Sequence, residues 1–249
     1  MNRQNVLITG ASSGLGYTMA KMYAAQGKNL ALCARRVDRL NELKDEIAKT
    51  NPNIKVYVRS LDVNDHDQVF NVFNAFADDL GHLDRVIVNA GMGKGASLGT
   101  GYFHANKATA ITNFVSAIAQ CEAALELFRA QNHGHLVTIS SVSAVRGFRR
   151  AMTVYAATKA ALSNLTEGIR VDLLGTPIKA TTIHPGFIRS EINEKVKTVP
   201  FIVGTDVGCK AILKAIDKEG ASYYVPGWPW EVVCRLMKFM PTKWLKNMS

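Results

Sequence analysis

The chain has 249 residues, 47% of them hydrophobic, which suits one compact domain with a large core. Thirty basic and 20 acidic residues give a net charge of +10, which attracts nucleic acid, anionic lipid or phosphorylated ligands without choosing among them. No apolar run reaches the ~18–20 residues of a membrane span, and there is no nucleic-acid-binding signature or long basic block, so neither a spanning protein nor a nucleic-acid partner is expected. The start, MNRQNVLITG, runs straight into a strand-like segment with no apolar signal region and no Arg/Ser-rich transit peptide. Cys33, Cys121, Cys209 and Cys234 lie far apart, form no CxxC and share no zinc spacing with the six histidines. Reduced thiols, no metal and a cytoplasmic location are expected.

Apolar β-rich runs alternate with helical patterns. Strands are predicted at 5–10, 29–34, 55–62, 85–91, 135–141, 179–186 and 222–225. Helices are predicted at 15–26, 37–49, 65–79, 103–131, 154–174 and 205–217. Short continuous apolar strands suit a parallel sheet buried on both faces. Their alternation with helices predicts βαβ units and an α/β fold, a Rossmann-like doubly wound parallel sheet in a single domain over 1–226, with a basic, aromatic-rich tail over 227–249. Ligands of such sheets bind beyond the carboxyl ends of the strands, so those ends are the places to inspect.

The first strand runs into TGASSGLG (9–16). Gly10, Gly14 and Gly16 let the backbone turn tightly and approach a pyrophosphate, and the following helix start offers free N–H groups and a positive dipole end. Gly10, Ser12, Ser13, Gly14, Leu15 and Gly16 are therefore candidate cofactor contacts, although G-x-x-x-G-x-G departs from the G-x-G-x-x-G fingerprint. The second strand ends in CARR. No acid is present there to hold a ribose 2′-hydroxyl, and Arg35 and Arg36 suit a 2′-phosphate, so NADP(H) is expected over NAD(H). At the third strand end Asp62, with Val63, would meet the adenine. A helix cap is the other use for Asp62, and Asn64 or Asp65 would serve that better. Asn89, Ala90 and Gly91 end the fourth strand, Ser140 and Ser141 the fifth, and Pro185 and Gly186 make a sharp turn at the sixth, near Ile188 and Ser190.

In VYAATKAAL (154–162), Tyr155 and Lys159 stand four apart among alanines. On a helix that spacing puts both side chains on one face, with Cβ atoms roughly 5–6 Å apart and small neighbours around them. Alone, the pair is better explained by a solvated helix face.

Together, TGASSGLG, NAG, ISS, YAATK and HPG, in that order over residues 9–186, resemble the short-chain dehydrogenase/reductase family. The resemblance implies a Rossmann-like subunit, a homodimer or homotetramer, and NAD(P)(H)-dependent interconversion of a small-molecule carbonyl and alcohol. It assigns the catalytic Ser to Ser141, Tyr to Tyr155, Lys to Lys159 and the helix Asn to Asn113, with Asn106 as competitor. The Ser-to-Tyr spacing is one residue longer than the commonest pattern, so Ser143 or Ser140 is an alternative to Ser141. Val88 stands where a second Asn is frequent, and Ser190 replaces the usual Thr. Under this resemblance the one-turn spacing acquires a chemical use. A phenol near pKa 10 is a poor acid at neutral pH. A cation about 5 Å away, at an effective dielectric of about 20, contributes roughly 3 kcal/mol, or about 2 pKa units. Lys159 would also hold the ribose hydroxyls, Ser141 the developing oxyanion, and Asn113 a water that relays protons.

The segment after Gly186 is expected to be a lid, with Phe187, Ile188, Val199, Phe201 and Ile202 lining an apolar pocket or packing on the core. Arg146, Arg149 and Arg150 would meet an anionic substrate group or lie in solvent. The tail interleaves Trp230, Leu236, Met237, Phe239, Met240, Trp244 and Leu245 with Arg235, Lys238, Lys243 and Lys246, and Pro241 interrupts any helix. It fits peripheral contact with a membrane surface, or packing on its own core or a partner subunit. The leading expectation is an NADPH-dependent reductase of a hydrophobic or lipid-like ketone, aldehyde or 3-oxoacyl compound. Alcohol oxidation by the same fold, and a cofactor-binding regulatory protein without turnover, are the alternatives.

Overall fold

The computed structural model describes residues 3–93, 95–189 and 200–248. Strands β1 (Asn5–Thr9), β2 (Asn29–Ala34), β3 (Val56–Ser60), β4 (Arg85–Val88), β5 (Gly134–Ile139), β6 (Ile178–Pro185) and β7 (Ser222–Val225) form one sheet. Its order is β3-β2-β1-β4-β5-β6-β7, and each neighbouring pair is parallel. The order reverses between β1 and β4, which opens a crevice beyond their carboxyl ends.

Helices cover both faces: α1 (Gly14–Ala25), α2 (Val37–Thr50), α3 (His66–Leu80), α4 (Phe103–Ala110), α5 (Ser116–Gln131), α6 (Met152–Asp172) and α7 (Thr205–Ile216). The two-residue period of β1 shows in the core. Val6 and Ile8 pack with Met19 and Tyr23 of α1, Leu40 and Leu43 of α2 and Ile212 of α7. Leu7 points the other way, to Phe73 and Phe76 of α3, Phe128 of α5 and Leu162 of α6. The α2 stripe Leu40, Leu43 and Ile47 is buried on a helix otherwise charged, as its spacing demands. Asp65, not Asp62, caps α3, accepting the Gln68 amide proton at 3.2 Å.

Three features differ from the sequence expectation. The ladders of β3, β4 and β5 stop before their polar ends, so Asp62, Asn89 and Ser141 lie just beyond the sheet at its carboxyl end. The helix expected over 103–131 contains a π-helical turn, Ile111–Val115, between α4 and α5, with Asn113 at its centre. The tail is ordered into helices α8 (Gly227–Phe239) and α9 (Thr242–Met248), separated at Met240–Pro241. Trp230, Cys234 and Met237 of α8 form a small core with Val142, against which Phe148 and Phe187 pack.

Candidate active site

The glycine turn sits at the end of β1. Gly10 takes φ +66 and Gly14 φ +55, conformations that favour glycine. A Cβ on Gly10 would come within 2.9 Å of the Ala90 backbone, and one on Gly16 within 2.5 Å of the Gly10 carbonyl oxygen. Gly16 therefore serves the folding of the turn itself. Ser13 makes no side-chain cap to α1, and the first turn holds no acid, so its leading amides are suited to an anion. Beside them runs an open groove of about 550 Å³ lined by Gly14, Tyr17, Thr18 and Gly204–Val207. A glycine cradle over an uncapped helix start fits a dinucleotide pyrophosphate.

The β4 end holds this turn in place. Asn89 Nδ2 donates to the Thr9 carbonyl oxygen at 2.9 Å, and Thr9 Oγ1 accepts the Asn89 and Ala90 amide protons at 3.1 and 3.0 Å. Thr9 was not singled out by sequence; its place just before Gly10 was the available signal. At the β2 end Arg35 and Arg36 are both exposed, and Arg36 Nε donates to Ser12 Oγ at 3.3 Å. The Arg36 guanidinium thus stands beside the glycine turn. Asp62 Oδ1 accepts the Asn64 amide at 3.0 Å, and Val63 is buried beside it.

Ser141, Tyr155 and Lys159 come together at the β5 end. Ser140 and Ser141 point to opposite sides: Ser140 Oγ donates to the Lys159 carbonyl oxygen at 2.9 Å, tying β5 to α6. Ser143 faces Ser141, donating to its Oγ from both its amide, at 3.1 Å, and its hydroxyl, at 3.0 Å. With two bonds accepted, the Ser141 proton is free to point at the Tyr155 phenol, where it favours the ionised form and pulls the phenol down. Ser143 is therefore an orienter of Ser141 in this geometry, a relation that the sequence spacing did not reveal.

Lys159 is 6% exposed, and its Nζ donates to the Ile139 carbonyl oxygen at 2.9 Å and lies 5.9 Å from the Tyr155 ring centre. Burial pushes the ammonium down to about 8. The depressed phenol expected from the Tyr–Lys spacing is not found in the protein alone. Burial raises Tyr155, and the Ser141 hydrogen bond only partly opposes it. Desolvation is the largest cause at both side chains, raising the phenol and lowering the ammonium.

Asn113 is buried and trades two hydrogen bonds with the Met92 backbone, Oδ1 accepting and Nδ2 donating, each at 2.8 Å. A Cβ on Gly91 would sit 3.1 Å from Asn113 Oδ1 and 3.6 Å from Lys159 Nζ, so the two side chains flank one spot. Asn106 instead accepts the Ala96 amide at 2.9 Å and anchors the 95–102 segment.

Pro185 is buried, and Gly186 lies under the Trp230 indole, where a Cβ would meet Nε1 at 2.0 Å. Phe187 and Phe201 pack edge-on against Trp230, with ring centres 5.5 and 5.9 Å away. The Ile188 side chain is buried against Gly208 of α7, within the core. Ser190 and Val199 lie outside the described residues. Arg146 is neither a solvated loop residue nor turned to a substrate. Its Nη1 lies 2.8–3.0 Å from the carbonyl oxygens of Met237, Lys238 and Met240, closing the end of α8. Arg149 and Arg150 are exposed.

Comparison with known proteins bears on the family and the fold. The family model for short chain dehydrogenases matches residues 4–199. An uncharacterized oxidoreductase of Mycobacterium tuberculosis is 49% identical over 243 residues, 98% of this chain and 96% of its own. The 11-beta-hydroxysteroid dehydrogenase 1A of Arabidopsis thaliana is 33% identical over 253 residues, 92% of this chain and 71% of its own. Among solved structures, a short chain dehydrogenase/reductase from Burkholderia phymatum in complex with NAD covers 100% of this chain and 98% of its own. It has a TM-score of 0.85 at 20% identity, a likeness of fold. Model match, relatives and sheet order agree: the chain belongs to the short-chain dehydrogenase family.

Proposed function

We propose that this oxidoreductase uses NADP(H) to reduce a hydrophobic carbonyl compound. The observation that carries the reading is the convergence of Ser141, Tyr155 and Lys159 beside the glycine cradle. Gly10, Ser12, Ser13, Gly14, Leu15 and Gly16 would hold the pyrophosphate, Asp62 and Val63 the adenine, and Asn89, Ala90, Gly91, Pro185, Gly186 and Ile188 the rest of the cofactor. The cofactor supplies the hydride. Ser141 hydrogen-bonds the substrate oxygen as negative charge builds on it, and Tyr155 delivers the proton to that oxygen. Lys159 binds the ribose hydroxyls and, when protonated, favours the phenolate left behind. Asn113, across Gly91 from Lys159, positions the water through which the phenol is reprotonated.

Preference for NADP(H) rests on Arg35 and Arg36 and the lack of an acid at the end of β2. The test is a fluorescence titration of NADPH against NADH, for the wild type and Arg35→Ala. Preference for NADPH that collapses in the variant supports the reading. Equal or tighter NADH binding overturns it and makes alcohol oxidation the better first assay. Apolar substrates are favoured by the Phe187–Trp230–Phe201 cluster beside Gly186.

Two surface features extend the proposal. An apolar groove of about 380 Å³ between α4, the π turn and α6, lined by Leu98, Phe114, Val115, Val154 and Ala157, supports a homo-oligomer. Light scattering that gives a monomer mass would exclude it. Trp228, Leu236, Phe239 and Trp244 are exposed beside Arg235, Lys238 and Lys243 on α8 and α9, which supports contact with an anionic membrane surface. Co-sedimentation with phosphatidylserine vesicles, reduced in Phe239→Ser, is expected; recovery in the supernatant would remove this part.

A further inference from the structure

We propose that His82, Asp84 and His133 form a divalent transition-metal site, suited to Zn2+, at the end of the sheet opposite the candidate active site. His82 and Asp84 lie just before β4 and His133 just before β5, and the pairing of Arg85 with His135 brings the two segments together. His82 Nε2 is 3.4 Å from Asp84 Oδ2, and His133 Nε2 is 3.6 Å from Asp84 Oδ1. One donor atom from each of the three residues lies within 4.8 Å of the other two. A tetrahedral zinc ion with N and O ligands at about 2.0–2.2 Å holds them about 3.3–3.5 Å apart, so small rotations of these side chains admit the ion. Two imidazoles and a carboxylate leave its fourth position to water.

The surroundings prepare the donors. His133 Nδ1 lies 3.1 Å from the Gln131 carbonyl oxygen, and donating to it leaves the Nε2 lone pair facing Asp84. Asp84 Oδ2 accepts the Gln4 and Asn5 amide protons, each at 2.9 Å, which fixes the carboxylate and leaves Oδ1 for a metal. Asn5 Nδ2, 3.4 Å from His82 Nε2, is a weak competitor that keeps a 3.0 Å bond to the His82 carbonyl oxygen if displaced. The neighbouring guanidinium of Arg85 turns inward to His135, Tyr23 and Asp217. His82 is exposed and His133 half-buried, which gives an ion a path in. Bound there, the ion would tie the start of β1, through Asp84, to the starts of β4 and β5, a structural link far from the hydride chemistry.

The test is calorimetric titration of chelator-treated protein with Zn2+, for wild type, His82→Ala and His133→Ala, with thermal unfolding followed in parallel. One Zn2+ per chain is expected in the wild type, with binding at least about tenfold weaker in either variant. Added Zn2+ should raise the unfolding midpoint of the wild type only. Should an alanine variant fail to fold by circular dichroism, His82→Gln or His133→Gln, which keeps a polar side chain, replaces it. Absence of binding by the wild type overturns the site, as does unchanged affinity in both histidine variants. A Co2+ spectrum with thiolate charge-transfer bands would also overturn it, since the ion would then sit on cysteine.

Discussion

Tyr155 and Lys159 share a helix face, and their environment sets what that pairing does. Burial raises the phenol, so a proton is available for donation at neutral pH, and turnover depends on that one hydroxyl. Tyr155→Phe is expected to lower kcat by ~10²–10⁴ while cofactor affinity stays unchanged, the range for loss of a positioned acid. Steady-state rates with a fluorescence titration check both halves. Lys159 sits at about 8 in the folded protein against 10.5 ordinarily. The unfolded chain holds that proton up to 10.5, so it binds more protons between pH 8 and 10.5, and stability from this group rises with pH across that window. Below pH 8 the cost of the buried ammonium is present in full, roughly 3 kcal/mol at about 1.36 kcal/mol per pKa unit. Lys159→Met is therefore expected to stabilise the protein at pH 7 and to lose that gain by pH 10.5. Urea melts at the two pH values decide it, and an equal gain at both would refute the burial account.

At the scale of elements, α8 closes over the β6 end. Trp230 lies against Gly186, with no room for a Cβ between them, and Arg146 holds the far end of the helix through three carbonyl oxygens. Gly186→Ala must displace the indole, an overpacking that costs about 1–3 kcal/mol. A lower unfolding midpoint with a red-shifted tryptophan emission is expected, and a wild-type spectrum would show that the contact is slack. The π turn at Ile111–Val115 is the other element with a purpose: it sets Asn113 towards Met92 and Gly91, one side of the spot flanked by Lys159.

Across the whole molecule, buried polar groups bind the amino ends of the strands together. Arg85 Nε donates to His135 Nδ1 at 3.0 Å, so the imidazole is neutral and its Nε2 hydrogen goes to Thr181 Oγ1 at 2.8 Å. Thr181 passes the chain on to the Gly220 carbonyl oxygen at 2.7 Å, while Arg85 also pairs with Asp217 and Arg3 with Glu219. Burial pushes His135 down to about 3 and His184 to about 4. Their unfolded value is 6.5, so their stabilising contribution is whole above pH 6.5 and is lost as pH falls from there through 4. For His184 the loss is roughly 3 kcal/mol. Denaturant melts should show stability falling between pH 6.5 and 4, with a shallower fall in His184→Asn. An unchanged slope in that variant would assign the acid sensitivity elsewhere.

The order of strands through β7, their parallel pairing and the turns at Gly10, Asn89, Ser141 and Gly186 were legible in the chain's local pattern, whereas the break at Ile111–Val115 and the helices α8 and α9 were not. The former are local properties: buried strands read as apolar runs, and tight turns require glycine or proline. The choice among Ser140, Ser141 and Ser143 stayed open in the sequence, and the structure separates them: Ser140 ties back to Lys159 while Ser143 bonds Ser141. Contacts between distant segments settled the rest. Whether Lys159 or burial governs Tyr155 depends on desolvation, which spacing along a helix does not encode. Arg146 found its carbonyl partners in α8, Ser143 turned back on Ser141, and Thr9 met Asn89 across the sheet. Each of these depends on where the chain returns in space, and contacts between segments far apart in sequence are settled by packing rather than by local pattern.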